Sequence, residues 1–330
     1  MQRDFIRSLP KAELHLHLEG TIEPETLVEL SRRHDGAPLT LEQARAIYQY
    51  QDFQGFLMAF KEVTQRLLTP EDFELITYEL MRRLREQNVL HAEVYVSVGI
   101  VHWRGHEFAP LFEGIERGRQ RGDADFGVSM LWIFDAVRQF GVEAADRVFQ
   151  LAVQYKDRNV VGIGIGGDEL RGPAADFRDL YQRAAKDGLH LTVHAGESAG
   201  PESIWAALNI GAERIGHGLT AFQDPELVHV LAEKQIPIEV CISSNLKTGC
   251  CAGIAAHPVR RYFEEGIMVT LNSDDPAMFH TTLVGEYELV REHFVFTDEQ
   301  LRELARNSFE ASFLPAEKKL HFLHLLDNHS

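Results

Sequence analysis

The stretch AELHLHLEG, residues Ala12–Gly20, decides the fold because it has the pattern of a buried strand with polar chemistry on one face. Side chains alternate between the faces of a strand, so its three leucines share one face while His15, His17 and Glu19 share the other. Two residues of strand span about 6.6 Å, so two imidazoles on one face can converge on a single ion. The pair alone is equally compatible with two surface histidines on a half-exposed strand.

Short apolar runs like this one recur along the chain and are separated by amphipathic segments of helical period. Strand and helix alternate eight times, which is typical of parallel strands joined by helical crossovers. The simplest fold that fits this alternation is therefore of the α/β class, a parallel sheet closed into a (β/α)8 TIM barrel. The predicted strands cover residues 14–18, 90–98, 128–134, 160–165, 189–194, 214–216, 237–242 and 268–272.

Two regions depart from the plain repeat. The first crossover, residues 21–88, is too long for one helix and shows about four helical patterns. Residues 281–324 add further helical pattern after the last strand. We therefore expect one domain over residues 1–330, with a helical insertion after strand 1 beside the barrel mouth and extra C-terminal helices.

Composition narrows the class of partner. The chain is 45% hydrophobic and 25% charged, which is ordinary for a soluble globular protein. Its net charge of −17 disfavours nucleic acid and anionic membranes, so we expect a small-molecule ligand. Three cysteines without a C-x-x-C pair indicate a reducing compartment. With no signal-peptide pattern and no apolar run of about 18 residues, a cytoplasmic protein is expected.

More polar residues follow the later apolar strands. His194 lies in TVHAGE, His217 in RIGHG, and Asp274 and Asp275 in LNSDDP. Catalytic groups of (β/α)8 barrels come from the carboxyl ends of the strands. We therefore expect these four residues to share one rim with the histidines of strand 1.

Three imidazoles and one carboxylate form a donor set suited to Zn²⁺, with Fe²⁺, Co²⁺ or Ni²⁺ possible. Such an ion lowers the pKa of a bound water toward about 7 and so supplies a nucleophile at neutral pH. We expect one ion per chain. The assigned ligands are His15, His17, His194 and Asp274.

Hydrolysis also needs groups that move protons, and Glu197 and His217 are the candidates. Glu197 follows His194 by three residues; the alternative is a first-turn carboxylate that stabilises a helix dipole. His217 lies between two glycines that let the backbone approach closely; the alternative is a core histidine. Asp275 is free to hydrogen-bond a substrate. The other histidines, His257 among them, show no such grouping and are interpreted as structural or solvated.

The glycine-rich segment VGIGIGGDE, residues 161–169, superficially matches a dinucleotide-binding fingerprint. No acidic residue ends a strand about 20 residues later, and the segment does not lead straight into a helix. We therefore reject a dinucleotide site. Close approach of the backbone to a small ligand near Gly166 and Gly167 explains the glycines better.

In this order the motifs PKAELHLHLEG, GIGIGGDE, HAGE, RIGHG, SSN and NSDDP resemble the adenosine deaminase family of the amidohydrolase superfamily, over residues 9–312. The resemblance implies a zinc-dependent aminohydrolase on a (β/α)8 barrel. It further implies that Glu197 protonates purine N1, that His217 handles the proton of water and steadies the oxyanion, that Asp275 bonds N7, and that the Gly167 backbone meets N3.

Departures from the family pattern concern the substrate. Adenosine-specific members carry Asp at the position of Glu19, and in the family this position meets the ribose 5′ end. The retained RIGHG and GIGGDE favour a nucleoside over free adenine, either adenosine or a 5′-modified adenosine such as 6-amino-6-deoxyfutalosine of a menaquinone route. Arg138 and Trp103 could meet a bulky 5′ group, although Arg138 is equally well explained as a solvated loop charge. The alternatives are an adenine deaminase and a mononuclear metal hydrolase of another substrate.

Overall fold

Eight parallel strands form a sheet whose order follows the chain in the computed structural model, which describes residues 2–51 and 53–329. Each strand pairs in parallel with the next one along the chain. The predicted (β/α)8 barrel is therefore confirmed. The strands are β1 Lys11–His17, β2 Val89–Val96, β3 Ser129–Val137, β4 Val160–Gly166, β5 His190–Ala195, β6 Arg214–His217, β7 Ile238–Val240 and β8 Val269–Leu271.

The seam between β8 and β1 closes the barrel through a few contacts at the carboxyl ends. A single bridge joins Leu16 to Asp274. There the His17 N–H donates to the Asp274 carbonyl at 2.9 Å, and the Asp274 N–H donates to the His15 carbonyl at 3.1 Å. Below them the Asn272 side-chain oxygen accepts from the N–H groups of Leu14 and His15, at 2.8 and 3.0 Å. Side-chain and backbone contacts thus replace a regular ladder.

Helices surround the barrel, and the long first crossover contains four of them, as predicted. Prolines occupy the first turns of α10 and α11, where a missing N–H costs nothing. Thr297 and Gln300 form the capping box of α16. The helices are α1 Gln2–Ser8, α2 Pro24–His34, α3 Leu41–Ile47, α4 Phe53–Thr64, α5 Pro70–Glu86, α6 Val98–Trp103, α7 Phe108–Phe126, α8 Val142–Gln154, α9 Arg178–Lys186, α10 Pro201–Asn209, α11 Pro225–Glu233, α12 Ile242–Lys247, α13 Val259–Glu264, α14 Pro276–Phe279, α15 Leu283–Phe294, α16 Asp298–Glu310 and α17 Ala316–Asp327.

The interior of the barrel is polar beneath the rim. The Arg214 guanidinium lies between two buried carboxylates, 2.5 Å from Glu93 and 2.6 Å from Glu239. Phe313 covers the guanidinium from below, with 3.8 Å between Arg214 Cζ and the ring centroid. Buried charges persist only when they are paired, and this network supplies the pairing.

Two further features bear on the sequence-based expectations. Among the helices of the described residues, none is long and apolar enough to cross a bilayer. Cys241, Cys250 and Cys251 are all free thiols.

Candidate active site

Three imidazoles meet at the carboxyl ends of β1 and β5. The ring nitrogens of His15, His17 and His194 lie within 4.8 Å of one another, and the Nε2 atoms of His17 and His194 are 3.1 Å apart. From beyond β8, Asp274 Oδ1 lies 3.6 Å from His15 Nε2 and 3.4 Å from His17 Nε2. The structure thus brings together all four side chains assigned as ligands.

The separations of these donor atoms fit a small divalent ion. Adjacent ligands at 2.0–2.1 Å from such an ion lie roughly 3 Å apart, close to the 3.1, 3.4 and 3.6 Å found here. Moreover, His15 Nε2 is buried without a hydrogen-bond partner. A buried nitrogen lone pair without a donor is costly, and a cation relieves that cost. The residues therefore fit a divalent ion of the zinc type.

The opposite ring nitrogens of two histidines have partners that set their orientation. His15 Nδ1 lies 2.8 Å from Glu239 Oε2, and His194 Nδ1 lies 3.1 Å from the Ile165 carbonyl. A proton on each Nδ1 leaves the Nε2 lone pair directed at the ion position. Burial raises the pKa of Glu239, but Arg214 and His15 outweigh burial and hold that pKa below its ordinary value. Glu239 is therefore an ionised partner for His15.

Two glycines make room for the side chains of the site. A Cβ atom on Gly20 would lie 1.8 Å from Asp275 Oδ1, and one on Gly216 would lie 2.7 Å from His15 Cε1. Asp274 and His217 themselves adopt left-handed φ values of 62° and 63°. Such backbone is uncommon outside glycine and concentrates at functional sites.

Glu197 and His217 lie beside the ion position. His217 Nε2 is 3.7 Å from Glu197 Oε2 and 3.9 Å from Asp274 Oδ2. Burial raises the pKa of Glu197, and the carboxylates of Asp274 and Glu169 add to that rise, while His217 opposes it. A raised pKa keeps the carboxyl protonated closer to neutral pH, as a proton donor requires.

Glu169 holds the loop that carries Glu197, a role that the sequence did not reveal. Its buried carboxylate accepts hydrogen bonds from the N–H groups of Gly196, Glu197, Ser198 and Ala199, at 2.7–3.2 Å. The hydroxyls of Ser198 and Ser203 donate to it as well. The GGDE motif was the available signal, although only its two glycines were assigned a role from sequence.

The structure corrects the interpretation of Glu19. Strand β1 ends at His17 and residues Leu18–Thr21 form a 3-10 turn, so the side chain is not on the strand face of the histidines. Glu19 is 4% exposed, and its carboxylate accepts from the Ser97 N–H at 3.0 Å and the Ser97 hydroxyl at 3.1 Å. Each oxygen thus accepts one hydrogen bond from Ser97, which itself lines the cavity described below.

Arg138 and Trp103 also differ from expectation. Arg138 is 1% exposed, so its interpretation as a solvated loop charge is wrong. Its guanidinium donates to the carbonyls of Gly172 and His194, and it does not line the cavity. It therefore braces the loop after β4 against the end of β5. Trp103 is exposed and stacks on Phe140 outside the cavity wall, with ring centroids 5.8 Å apart.

A cavity of about 740 Å³ opens over the ion position. Gly166, Gly167, Asp168 and Asp275 lie in its polar part, as does Asp135, whose pKa burial raises to about 7. No Lys or Arg is among the described residues that line it. Its apolar wall, to which the helical insertion contributes, includes Phe56, Leu57, Phe60, Ile100, Val137, Leu170 and Phe279.

A parallel barrel with imidazoles and a carboxylate converging at its strand ends, beside an acid–base pair, defines the metal-dependent hydrolase class of TIM barrels. The sequence model of the adenosine deaminase family matches residues 10–329. The chain belongs to the adenosine deaminase family, whose members are hydrolytic enzymes of the amidohydrolase superfamily.

Two relatives of similar identity have different activities in their names. The chain is 38% identical to an aminodeoxyfutalosine deaminase of Streptomyces avermitilis, over 99% of this chain and 92% of that protein. It is 37% identical to an adenine deaminase of Hahella chejuensis, over 99% of this chain and 98% of that protein. Overall identity therefore does not separate the two.

Solved structures confirm the fold. The adenine deaminase of Arthrobacter aurescens superposes with a TM-score of 0.90 at 32% identity, over 97% of this chain and 98% of that chain. An amidohydrolase of Burkholderia ambifaria with bound Zn superposes with a TM-score of 0.88 at 27% identity, over 98% of this chain and 92% of that chain.

Proposed function

We propose that the protein hydrolyses the 6-amino group of a 6-aminopurine nucleoside and releases ammonia. One observation carries the proposal: four candidate ligands, Glu197 and His217 converge at the floor of a cavity of about 740 Å³. Zn²⁺ is the proposed ion, supported by the donor set and by the Zn-bound structural neighbour, with Fe²⁺, Co²⁺ or Ni²⁺ as alternatives.

The side chains divide the work of the reaction. His15, His17, His194 and Asp274 would hold the ion, which when bound supplies an activated water at neutral pH. Glu197 donates a proton to purine N1, which makes C6 electrophilic. His217 lies beside the attacking oxygen, Asp275 hydrogen-bonds N7, and the Gly167 N–H meets N3. Water adds to C6 and loses a proton to the Glu197 carboxylate, which passes it to the 6-amino group, and the C6–N bond then breaks to release ammonia.

Cavity size and lining favour a nucleoside that carries no 5′-phosphate. The cavity is far larger than a purine base needs, and its outer wall is apolar. A 5′-phosphate would find no Lys or Arg among the lining residues that the structure describes, so it would be desolvated without a counter-charge. The aminodeoxyfutalosine deaminase relative supports a 5′-modified adenosine. The adenine deaminase relatives keep the free base as the second candidate.

Ammonia release by the zinc-loaded protein tests the proposal. The panel is adenine, adenosine, 2′-deoxyadenosine, methylthioadenosine, 6-amino-6-deoxyfutalosine and AMP, ranked by kcat/KM. We expect a nucleoside to lead adenine and AMP by at least tenfold, about 1.4 kcal/mol of transition-state preference. Leadership by adenine would establish the second candidate. Full activity after removal of the ion by a chelator would overturn the proposed chemistry.

A further inference from the structure

Two buried side chains, His257 and Asn245, connect the N-terminus of α13 to His217. The Val259 N–H donates to His257 Nδ1 at 3.2 Å. His257 Nε2 lies 3.2 Å from Asn245 Oδ1, and Asn245 Nδ2 lies 3.2 Å from His217 Nδ1. The side chains of His257, Asn245 and His217 are at most 5% exposed. Water therefore does not compete for these hydrogen bonds.

The directions of all three hydrogen bonds follow from the first one, which the Val259 N–H donates. A backbone N–H can only donate, so His257 Nδ1 is an acceptor and carries no proton. Burial lowers the pKa of His257 to about 3, so the ring is neutral and its proton lies on Nε2. That Nε2–H donates to Asn245 Oδ1, which turns the amide nitrogen toward His217.

The Val259 N–H also excludes the reverse orientation of the Asn245 amide. If the Asn245 oxygen faced His217, the amide N–H would donate to His257 Nε2 and the proton of His257 would move to Nδ1. Two donors, His257 Nδ1–H and the Val259 N–H, would then oppose each other in a buried place, which is costly. Only the orientation with Asn245 Nδ2 toward His217 gives every donor and acceptor in this series a partner.

We infer that Asn245 and His257 are positioning residues that keep His217 Nδ1 free of a proton and so place the ring proton on Nε2. Because Asn245 donates to His217 Nδ1, the ring presents an N–H toward Glu197 and Asp274. In this state Nε2 has no lone pair with which to accept the proton of water. His217 therefore acts on the attacking oxygen as a hydrogen-bond donor, which revises the sequence-based expectation that it handles that proton.

The first test reads the tautomer directly. The zinc-loaded protein, labelled with ¹⁵N-histidine, is studied by long-range ¹H–¹⁵N NMR, and the His217 signals are those that disappear in His217→Gln. We expect a protonated Nε2 and an unprotonated Nδ1. A protonated Nδ1 on neutral His217 would overturn the inference. This readout needs no substrate, so its outcome is independent of the proposed deamination.

The second test replaces the hydrogen-bond donor at Asn245 with an acceptor. Its activity measurement rests on the proposed function. Asn245→Asp places a carboxylate against His217 Nδ1, which then carries a proton. We expect the ¹⁵N signal of Nδ1 to change to the protonated form and kcat to fall about tenfold or more at unchanged metal content. An unchanged tautomer with an unchanged kcat would contradict the assignment of Asn245.

A double-mutant cycle shows whether His257 acts through Asn245. His257→Phe removes the donor to Asn245 Oδ1 and is expected to lower kcat alone, but not further in an Asn245→Ala background. Equal losses in both backgrounds would overturn the connection. His34→Gln is the control, because His34 of α2 makes a partly buried hydrogen bond to Asp72 of α5, at 2.7 Å, outside the candidate site. We expect that variant to keep the parent kcat.

Discussion

The Glu239 carboxylate accepts a hydrogen bond from His15 Nδ1 at 2.8 Å, on the side of the ring opposite the candidate metal centre. Carboxylates in this position orient a ligating histidine and increase its basicity. We predict that Glu239→Gln weakens zinc affinity about 10- to 100-fold, because the charge that favours Nδ1–H is lost. Competition with a chelator of known affinity measures the change.

Glu116→Gln is the control for that experiment. Glu116 is buried to a similar degree and pairs with Arg119 and with the Trp132 indole N–H, outside the candidate site. It is expected to cost stability but not zinc affinity. Equal zinc affinity in Glu239→Gln and the parent would show that His15 does not depend on this carboxylate.

Replacement of the proton donor separates chemistry from metal binding. Glu197→Gln keeps the size of the side chain but cannot deliver a carboxyl proton, so kcat is predicted to fall about 10²-fold or more. Zinc content per chain, measured by elemental analysis, is expected to stay at the parent value. Near-normal turnover in a fully loaded variant would refute the role of Glu197.

Glu169 is expected to affect catalysis by positioning the loop that carries Glu197, without contacting the substrate. Glu169→Gln replaces an acceptor of four backbone N–H groups with an amide that also donates, so the loop bearing Glu197 loses its fixed path. We expect kcat to fall about tenfold while zinc content is retained. In a Glu197→Gln background the same change should have little further effect; full additivity would instead indicate a separate role.

The buried Lys11 side chain is expected to make the free energy of unfolding depend on pH. Burial lowers its pKa from 10.5 to about 7, against the opposing attraction of Glu13. Between pH 7 and 10.5 the unfolded chain therefore binds more protons at this residue than the folded chain. The free energy of unfolding should rise with pH across that window, relative to Lys11→Met, by up to about 1.4 kcal/mol per pH unit. Urea denaturation of both proteins at several pH values measures it; parallel pH curves would contradict the prediction.

The barrel and the convergence of the ligands could be predicted from sequence because they depend on local patterns and a topological rule. Alternation on a strand places His15 and His17 together, and parallel crossovers carry His194 and Asp274 to the same rim. The expectation failed at Glu19, where the chain leaves the strand and alternation ends.

The supporting residues could not be predicted in the same way. Glu169 and Arg138 act on backbone groups of neighbouring loops, and His257 reaches His217 only through Asn245. Their partners depend on how loops meet in three dimensions, and no periodicity in the sequence encodes that meeting. Such residues are found only once backbone donors and acceptors can be matched in space.

The seam between the first and last strands has a consequence for how the chain matures. His15 and His17 leave the ribosome early, whereas Asp274 and its backbone partners are synthesised some 250 residues later. A metal centre built from the four proposed ligands could therefore not assemble on a nascent chain that has not yet passed residue 274. Metal capture at full affinity would then be a late event in biogenesis, after the first and last strands have met.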